Sequence, residues 1–189
     1  NYYLVKSRNF ARPGSEFFFD LNSCVPFIDL FNHAWDEEGP NDEAFMKAVQ
    51  IAEIIFDRLI IKSNAKIKAT KIVEEKLDNV KDGILILDEY LPYEDGIWLS
   101  KNPKAKEVKV VIFPSKRGGY GIKPRTVSYE SKELAYNFDK RFLGLHDEEL
   151  ANISHIKTAR FVHSSGFLAC SDTLEDAILL AQNAINNKE

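Results

Sequence analysis

The sequence predicts an α+β fold: a mixed or antiparallel sheet with packed helices, preceded by a long N-terminal helix. Three observations carry this. Apolar residues recur at helical spacing from Ala44 to Leu77. Short β-prone runs follow at 84–87, 108–113 and 119–127, bounded by Gly or Pro. The chain closes with ARFVHSSGFLACSDTLEDAILLAQNAINN, which reads as strand, tight turn, strand, cap and helix.

Residues 1–23 show no clear period, and Arg12-Pro13-Gly14-Ser15 marks a turn. Phe17, Phe18 and Phe19 form an apolar cluster that needs cover, from this domain's own core or from a docked neighbour. An apolar segment, Phe27 to Phe31, leads into NHAWDEEGPND, where Trp35 is expected to pack. His33, Asp36, Glu37 and Glu38 are residue types that bind metal. They lack a His-x-x-x-His register and run into Gly39-Pro40, which favours a solvated acidic loop. Pro40 stands just outside a helix that begins at Asn41 or Asp42, and Glu43 in its first turn suits the dipole. Its apolar stripe is Ala44, Phe45, Ala48, Val49, Ala52, Ile55, Phe56 and Leu59, resuming with Ile67, Ile72, Val73 and Leu77. Unbroken to Asn79, the helix would be about 55 Å long. Asn64 is the alternative point of a break into two helices.

Gly83 closes this region. Ile84-Leu85-Ile86-Leu87 is fully apolar, as expected of a central strand. Lys101 to Lys106, with Pro103, forms a basic loop. Val108–Phe113 is a second strand, and Pro114–Gly119 a hairpin connection. Gly119–Val127 is a third strand, which Pro124 assigns to a sheet edge. Residues 128–158 read as helical or irregular. Arg160–His163 and Phe167–Cys170 are the last strands, broken at Ser164-Ser165-Gly166, where glycine reaches backbone angles that other residues avoid. Thr173 suits an N-cap, with Asp176 standing in for the Glu of a capping box. A helix follows over Leu174–Ile185. A turn and a helix start gather backbone N–H groups that can hold an anion; the plainer reading is a strand–turn–helix edge.

A chain of 189 residues buries enough surface for one domain, or a domain plus an arm. The formal net charge of −4 provides no global basic field for nucleic acid, though a local site remains open. Cys24 and Cys170 fit no C-x-x-C pattern, and the default is two buried small hydrophobes in a reducing, intracellular compartment. No run is apolar and long enough to span a membrane, no signal peptide is evident, and no membrane partner is expected. The chain starts at Asn1 rather than Met, which suggests a fragment of something longer.

Phe161, Val162, His163, Phe167, Leu168, Thr173, Glu175 and Ala177 fall without a gap on a pattern F-V-H-x-x-x-F-I-G-G followed by T-R-E-G-A. Upstream, Asn32, Trp35, Asp42, Phe45, Ala48 and Ala52 match N-P-x-W, with the proline missing, and D-x-x-F-x-x-A-x-x-x-A. Ser128, Tyr129, Glu130, Ser131 and Lys132 fit S-F-E-S-R, and Gly144, Leu145, Asp147, Glu148, Glu149 and Leu150 fit G-L-R-D-E-E-L. Over about residues 32–187 the chain therefore resembles the melanocyte-proliferating-gene (Myg) exonuclease family of metal-dependent hydrolases, in the DHH phosphoesterase superfamily.

The resemblance implies hydrolysis of phosphate esters with a divalent metal, Mn or Mg, held in an N-terminal domain by motifs such as H-C-D-E and D-H-H. Neither motif occurs in this sequence, and His33, His146, His155 and His163 show no ligand arrangement. No catalytic residue, metal ligand or cofactor is therefore expected in this chain. The implied division is an arm at 1–40, remnant of or linker from a missing metal-binding domain; a connecting helix or helix pair at 41–82; and an α+β substrate-side domain at 83–189. The implied substrate-binding residues are His163, Ser164, Ser165, Gly166 and Thr173, with a structural histidine beside a turn as the other reading of His163. The sequence departs from the family at Ala169-Cys170, in place of Gly-Gly, and at Leu174 and His146, each in place of Arg. Two cationic phosphate partners are thus absent, with Arg160, Lys123, Arg125 and Arg141 as candidate replacements.

The function implied is the C-terminal substrate-binding part of a 3'-5' RNA exonuclease, inactive without its N-terminal DHH-type domain. Its partners would be that domain and RNA or a short oligonucleotide. The alternative is a non-catalytic relative serving as a binding or dimerisation module, which allows a homodimer. The implied compartment is the cytoplasm in a bacterium, or the nucleus or mitochondrion in a eukaryote. The chain alone is expected to bind a mononucleotide no better than roughly millimolar, about −4 kcal/mol.

Overall fold

The computed structural model describes residues 28–187. The Arg12–Ser15 turn, the Phe17–Phe19 cluster and Cys24 lie outside the described residues. The chain divides into two units, with the boundary after Ile67.

In the first unit, Ala34 N–H donates to the Glu37 carboxylate and Glu37 N–H donates to Ala34 O. This small turn holds the backbone and leaves the Trp35 indole in solvent, 97% exposed, so the expectation that it packs is corrected. Asp36, Glu37 and Glu38 are exposed, as a solvated acidic loop requires. Helix α1 (Asn41–Lys76) is a single α-helix of 36 residues with Asp42 and Glu43 in its first turn. It passes through Asn64 without a break, since one asparagine costs a helix interior only a fraction of a kcal/mol. Of its apolar stripe, Ala48 is buried, whereas Phe45 and Phe56 are exposed.

The second unit is a mixed five-stranded sheet with helices. Its further elements are β1 (Ile84–Ile86), α2 (Glu94–Trp98), β2 (Val110–Pro114), β3 (Tyr120–Pro124), α3 (Asp147–Ser154), β4 (Ala159–Val162), β5 (Ala169–Ser171) and α4 (Leu174–Asn186). The strand order is β1-β2-β3-β5-β4, with β1–β2 parallel and the other pairs antiparallel. The α+β expectation therefore holds. Residues 103–107, expected as a loop, wind into a 3-10 turn capped by Asn102.

Alternation along the strands feeds two cores. Ile84, Val110, Ile112, Ile122, Val162 and Ala169 meet Ala177, Leu180, Ala181 and Ala184 of α4 on one face. Leu85, Val111 and Phe113 meet Ala69, Val73, Leu91, Tyr93 and Ile97 on the other. β1 is thus apolar because both its faces are covered, and it stands at the sheet edge rather than in the centre. β3 is the converse correction: despite Pro124 it lies between β2 and β5. Arg125 N–H donates to Lys109 O. By alternation, Pro124 opposite Val110 is a non-hydrogen-bonded position on that side. On the other side β5 pairs only with Tyr120–Ile122, so the missing N–H costs no ladder bond. No helix among the described residues is long and apolar enough to cross a membrane.

Candidate functional site

Helix α4 packs against β2, β3, β4 and β5 on the first face. On the second face the cover stops short. Leu85, Val111 and Phe113 are buried there, but β4 and β5 contribute no buried side chain to that core. The uncovered part is the floor of a cleft of about 750 Å³, lined by Tyr90, Phe113, Ser115–Gly118, His146, Asp147, Arg160, Phe161, Leu168 and Cys170.

Local sequence explains each wall. The register of β4 on β5 shifts between Ala159 and Phe161, a bulge that places two consecutive residues, Arg160 and Phe161, on the cleft. Phe161 stacks on His146 with centroids 5.8 Å apart and planes 12° from parallel. Opposite, Phe113 holds Tyr90 edge-on at 5.2 Å. Phe113 itself lies across Gly121, where a Cβ would come within 2.5 Å of its ring. The β2–β3 hairpin carries Lys116 and Arg117. It closes through Gly119, whose φ of +68° and 2.2 Å clearance between a built Cβ and Ser171 O demand glycine. Asp147 begins α3 at φ 42°, a left-handed angle that Asp tolerates better than most residues.

The charges are unequally committed. Lys116 Nζ sits 5.9 Å over the Tyr90 ring. Arg160 Nε lies 3.5 Å from Asp172 Oδ1. The Arg117 guanidinium has no side-chain partner among the described residues. Cys170, expected to be buried, is half-buried on the cleft floor. Burial pushes its thiol above the usual range, and Arg160 and Arg117 offset only part of that. It is therefore a protonated, weak nucleophile at neutral pH. The arrangement offers cations for an anion and aromatic faces for a planar group. Among the described residues no group of three or more His, Cys, Asp or Glu side chains is placed to hold a metal ion.

The residues singled out from sequence lie elsewhere. His163 Nδ1 accepts from Ser165 N–H and lies 2.9 Å from Ser165 Oγ, and Gly166 N–H donates to His163 O. The imidazole sits 4.4 Å from the ring of Phe167, which stays in the turn rather than opening β5. This turn, with Ser164, uses the N–H groups of Ser165 and Gly166 internally. Thr173 caps α4, its hydroxyl accepting from Asp176 N–H. Asp176 Oδ2 accepts from both the N–H and the hydroxyl of Thr158 at 2.7 Å. The turn follows β4 and Thr173 follows β5. Antiparallel pairing thus puts His163–Gly166 and Thr173 at opposite ends of the hairpin, and the structure does not bring them together.

Of the four candidate cations, only Arg160 reaches the cleft. Lys123 pairs with Glu94, Arg141 with Asp139, and Arg125 stacks 3.8 Å over Trp98 while donating to Ala105 O and Val108 O. Sequence reasoning missed Lys116, Arg117 and Tyr90. The available signal was Lys-Arg directly before Gly-Gly in a hairpin.

Fold and site define an α+β domain with an open cleft walled by cations and aromatic rings. The chain belongs to the family MYG1_exonuc, described as Uncharacterised protein family (UPF0160), whose model matches residues 15–185. It is 29% identical over 170 residues to a MYG1 protein of Dictyostelium discoideum, covering 84% of this chain and 52% of that one. Over 172 residues it is 22% identical to a MYG1 protein of Schizosaccharomyces pombe, covering 87% and 53%. Over 165 residues it is 23% identical to the MYG1 exonuclease of Rattus norvegicus, covering 82% and 43%. The chain spans about half the length of the curated relatives it matches. No solved structure matches it significantly.

Proposed function

We propose that this chain is the C-terminal, substrate-binding part of a DHH-type metal-dependent phosphoesterase, a 3'-5' RNA exonuclease as a whole, and that the cleft holds a nucleotide of the substrate. The observation that carries this is the uncommitted Arg117 facing aromatic walls across an open cleft. Arg117 and Arg160 would take a phosphate, which guanidinium groups bind with directed, charge-assisted hydrogen bonds. Tyr90 or Phe161 would receive the base; such stacking is worth about 1–3 kcal/mol per base. The family name supports the class, and a rat relative is named an exonuclease. In this reading the ligands of the implied Mn or Mg would lie in a DHH-type domain outside this chain, and no step here runs through that metal.

A second reading has its own support. His146 and Cys170, which replace the family's Arg and Gly, both line the cleft. A weakened site suits a non-catalytic binding or dimerisation module. Chelator-sensitive oligonucleotide hydrolysis by the full-length parent separates the two readings, and a full-length parent without it favours the module. The chain alone is expected to show no phosphodiesterase turnover with added manganese.

Binding is tested by titrating the isotope-labelled chain with adenosine monophosphate at low salt. Amide shifts should cluster at residues 115–118, 146–147, 160–161 and 170. Shifts at Ser164–Phe167 and Thr173–Glu175 instead would make the turn and helix start the pocket. No shifts up to roughly ten times millimolar ligand would remove the binding reading.

A further inference from the structure

The cleft carries one acid. Of the described residues that line it, Lys116, Arg117 and Arg160 are cations, and Asp147 is the only carboxylate. A cleft that took nothing but an anion would have no use for it, since a carboxylate repels phosphate. Asp147 is exposed and has no hydrogen-bond or ion-pair partner among the described residues. Nor does α3 depend on it for negative charge at its start, because Glu148 and Glu149 share the first turn without lining the cleft.

The neighbours of Asp147 fix what it would meet. His146 bridges Phe161 in antiparallel register, so Asp147 comes next to Arg160. Arg160 nonetheless pairs with Asp172, which leaves the Asp147 carboxylate as a spare acceptor. On one side of Asp147 is thus a phosphate-binding cation. On the other is the ring pair of His146 and Phe161, with centroids 5.8 Å apart. In a nucleotide the sugar lies between phosphate and base. A ligand with its phosphate on Arg160 and Arg117 and its base toward the rings presents its ribose to Asp147. An ionised carboxylate only accepts hydrogen bonds, and the ribose hydroxyls are the donors at that point.

We propose that Asp147 reads the sugar of the nucleotide in this cleft, accepting a hydrogen bond from the 2'-hydroxyl, so that the site favours ribonucleotides over deoxyribonucleotides. The proposal rests on the nucleotide reading of the cleft and adds to it the residue that tells the two sugars apart. The cations cannot make that distinction, because the phosphate is the same in both, and neither can the rings, because the base is the same. A deoxyribonucleotide forfeits the charge-assisted bond.

The test titrates the isotope-labelled full chain with adenosine monophosphate and with 2'-deoxyadenosine monophosphate at low salt, following amide shifts at residues 115–118, 146–147 and 160–161. The readout is the ratio of the two affinities. Both ligands carry the same base and phosphate, so a change in the charge or folding of the cleft moves both together and leaves the ratio alone. The parent should bind the ribonucleotide roughly fivefold more tightly. Asp147→Ala should bring the ratio close to one. Asp147→Gly, which also accepts the φ of 42° without strain, should do the same. Asp147→Asn keeps an acceptor oxygen without the charge and should give an intermediate ratio. Equal affinities in the parent, or a preference that survives Asp147→Ala, would overturn the proposal while leaving the cleft a nucleotide site. Absence of binding by either ligand would remove the nucleotide reading itself, and this proposal with it.

Discussion

Replacing Gly121 by alanine should loosen both the sheet and the cleft wall. A Cβ built there stands 2.5 Å from Phe113 Cε2 and 2.7 Å from Cζ. Phe113 cannot swing clear, being 6% exposed and held between Tyr90 at 5.2 Å and Tyr93 at 6.2 Å. Overpacking of this kind costs about 1–3 kcal/mol. Phe113→Leu alone should cost roughly 1–3 kcal/mol through lost ring contacts. In the double variant the shorter side chain removes the collision, so the total should fall at least about 1 kcal/mol below the sum. Urea unfolding followed by Trp98 emission reads this, since Trp35 is already in solvent and contributes a near-constant signal. With a slope of about 2 kcal/mol/M, Gly121→Ala should lower the midpoint by roughly 0.5–1.5 M. A neutral Gly121→Ala, or strictly additive costs, would refute the argument that glycine is there to seat the Phe113 ring.

Arg117→Gln should weaken adenosine monophosphate binding about fivefold at low salt, less at high salt, by calorimetry; Lys123→Gln, away from the cleft, should not. Cys170 should alkylate slowly with iodoacetamide at neutral pH, speed up only in alkali, and be protected by the nucleotide. The sign follows from its raised thiol pKa: the folded form binds the proton more tightly, so its stabilising contribution is complete below the usual thiol range and is lost as pH rises through the folded value. Reaction at neutral pH as fast as free cysteine would contradict this. Asp176→Asn should cost about 1.5–3 kcal/mol in urea unfolding, because the carboxylate accepts both the N–H and the hydroxyl of Thr158. Thr158→Val should then add little to it.

Period and cap chemistry made the helices readable. Thr173 with Asp176 three residues on gave α4 its start to the residue. Strand positions along the chain were readable for the same reason, but their neighbours were not. An apolar run such as Ile84–Leu87 records only that both faces are covered. Edge position depends on which strands pair, and pairing is long-range. Pro124 misled in the opposite sense, because a proline excludes a neighbour only where that neighbour extends far enough to need its N–H, and β5 stops at Ala169.

The cleft was hidden by how it is assembled. Its residues come from five separate segments, and no window of sequence holds two opposing walls. Nearness in sequence pointed instead to His163–Gly166 and Thr173, which an antiparallel hairpin necessarily sends to opposite ends. Arg160 required a bulge to reach the cleft beside Phe161, and a bulge leaves no mark in an apolar–polar pattern. The family departures hold more information than their separate positions suggest. His146 and Cys170 lie 24 residues apart in sequence, yet line one cleft. Exchanging Arg for His and Gly for Cys at two such positions removes charge and room from the same place. Arg117, on the β2–β3 hairpin, lines the same cleft, so cationic side chains remain beside these two positions.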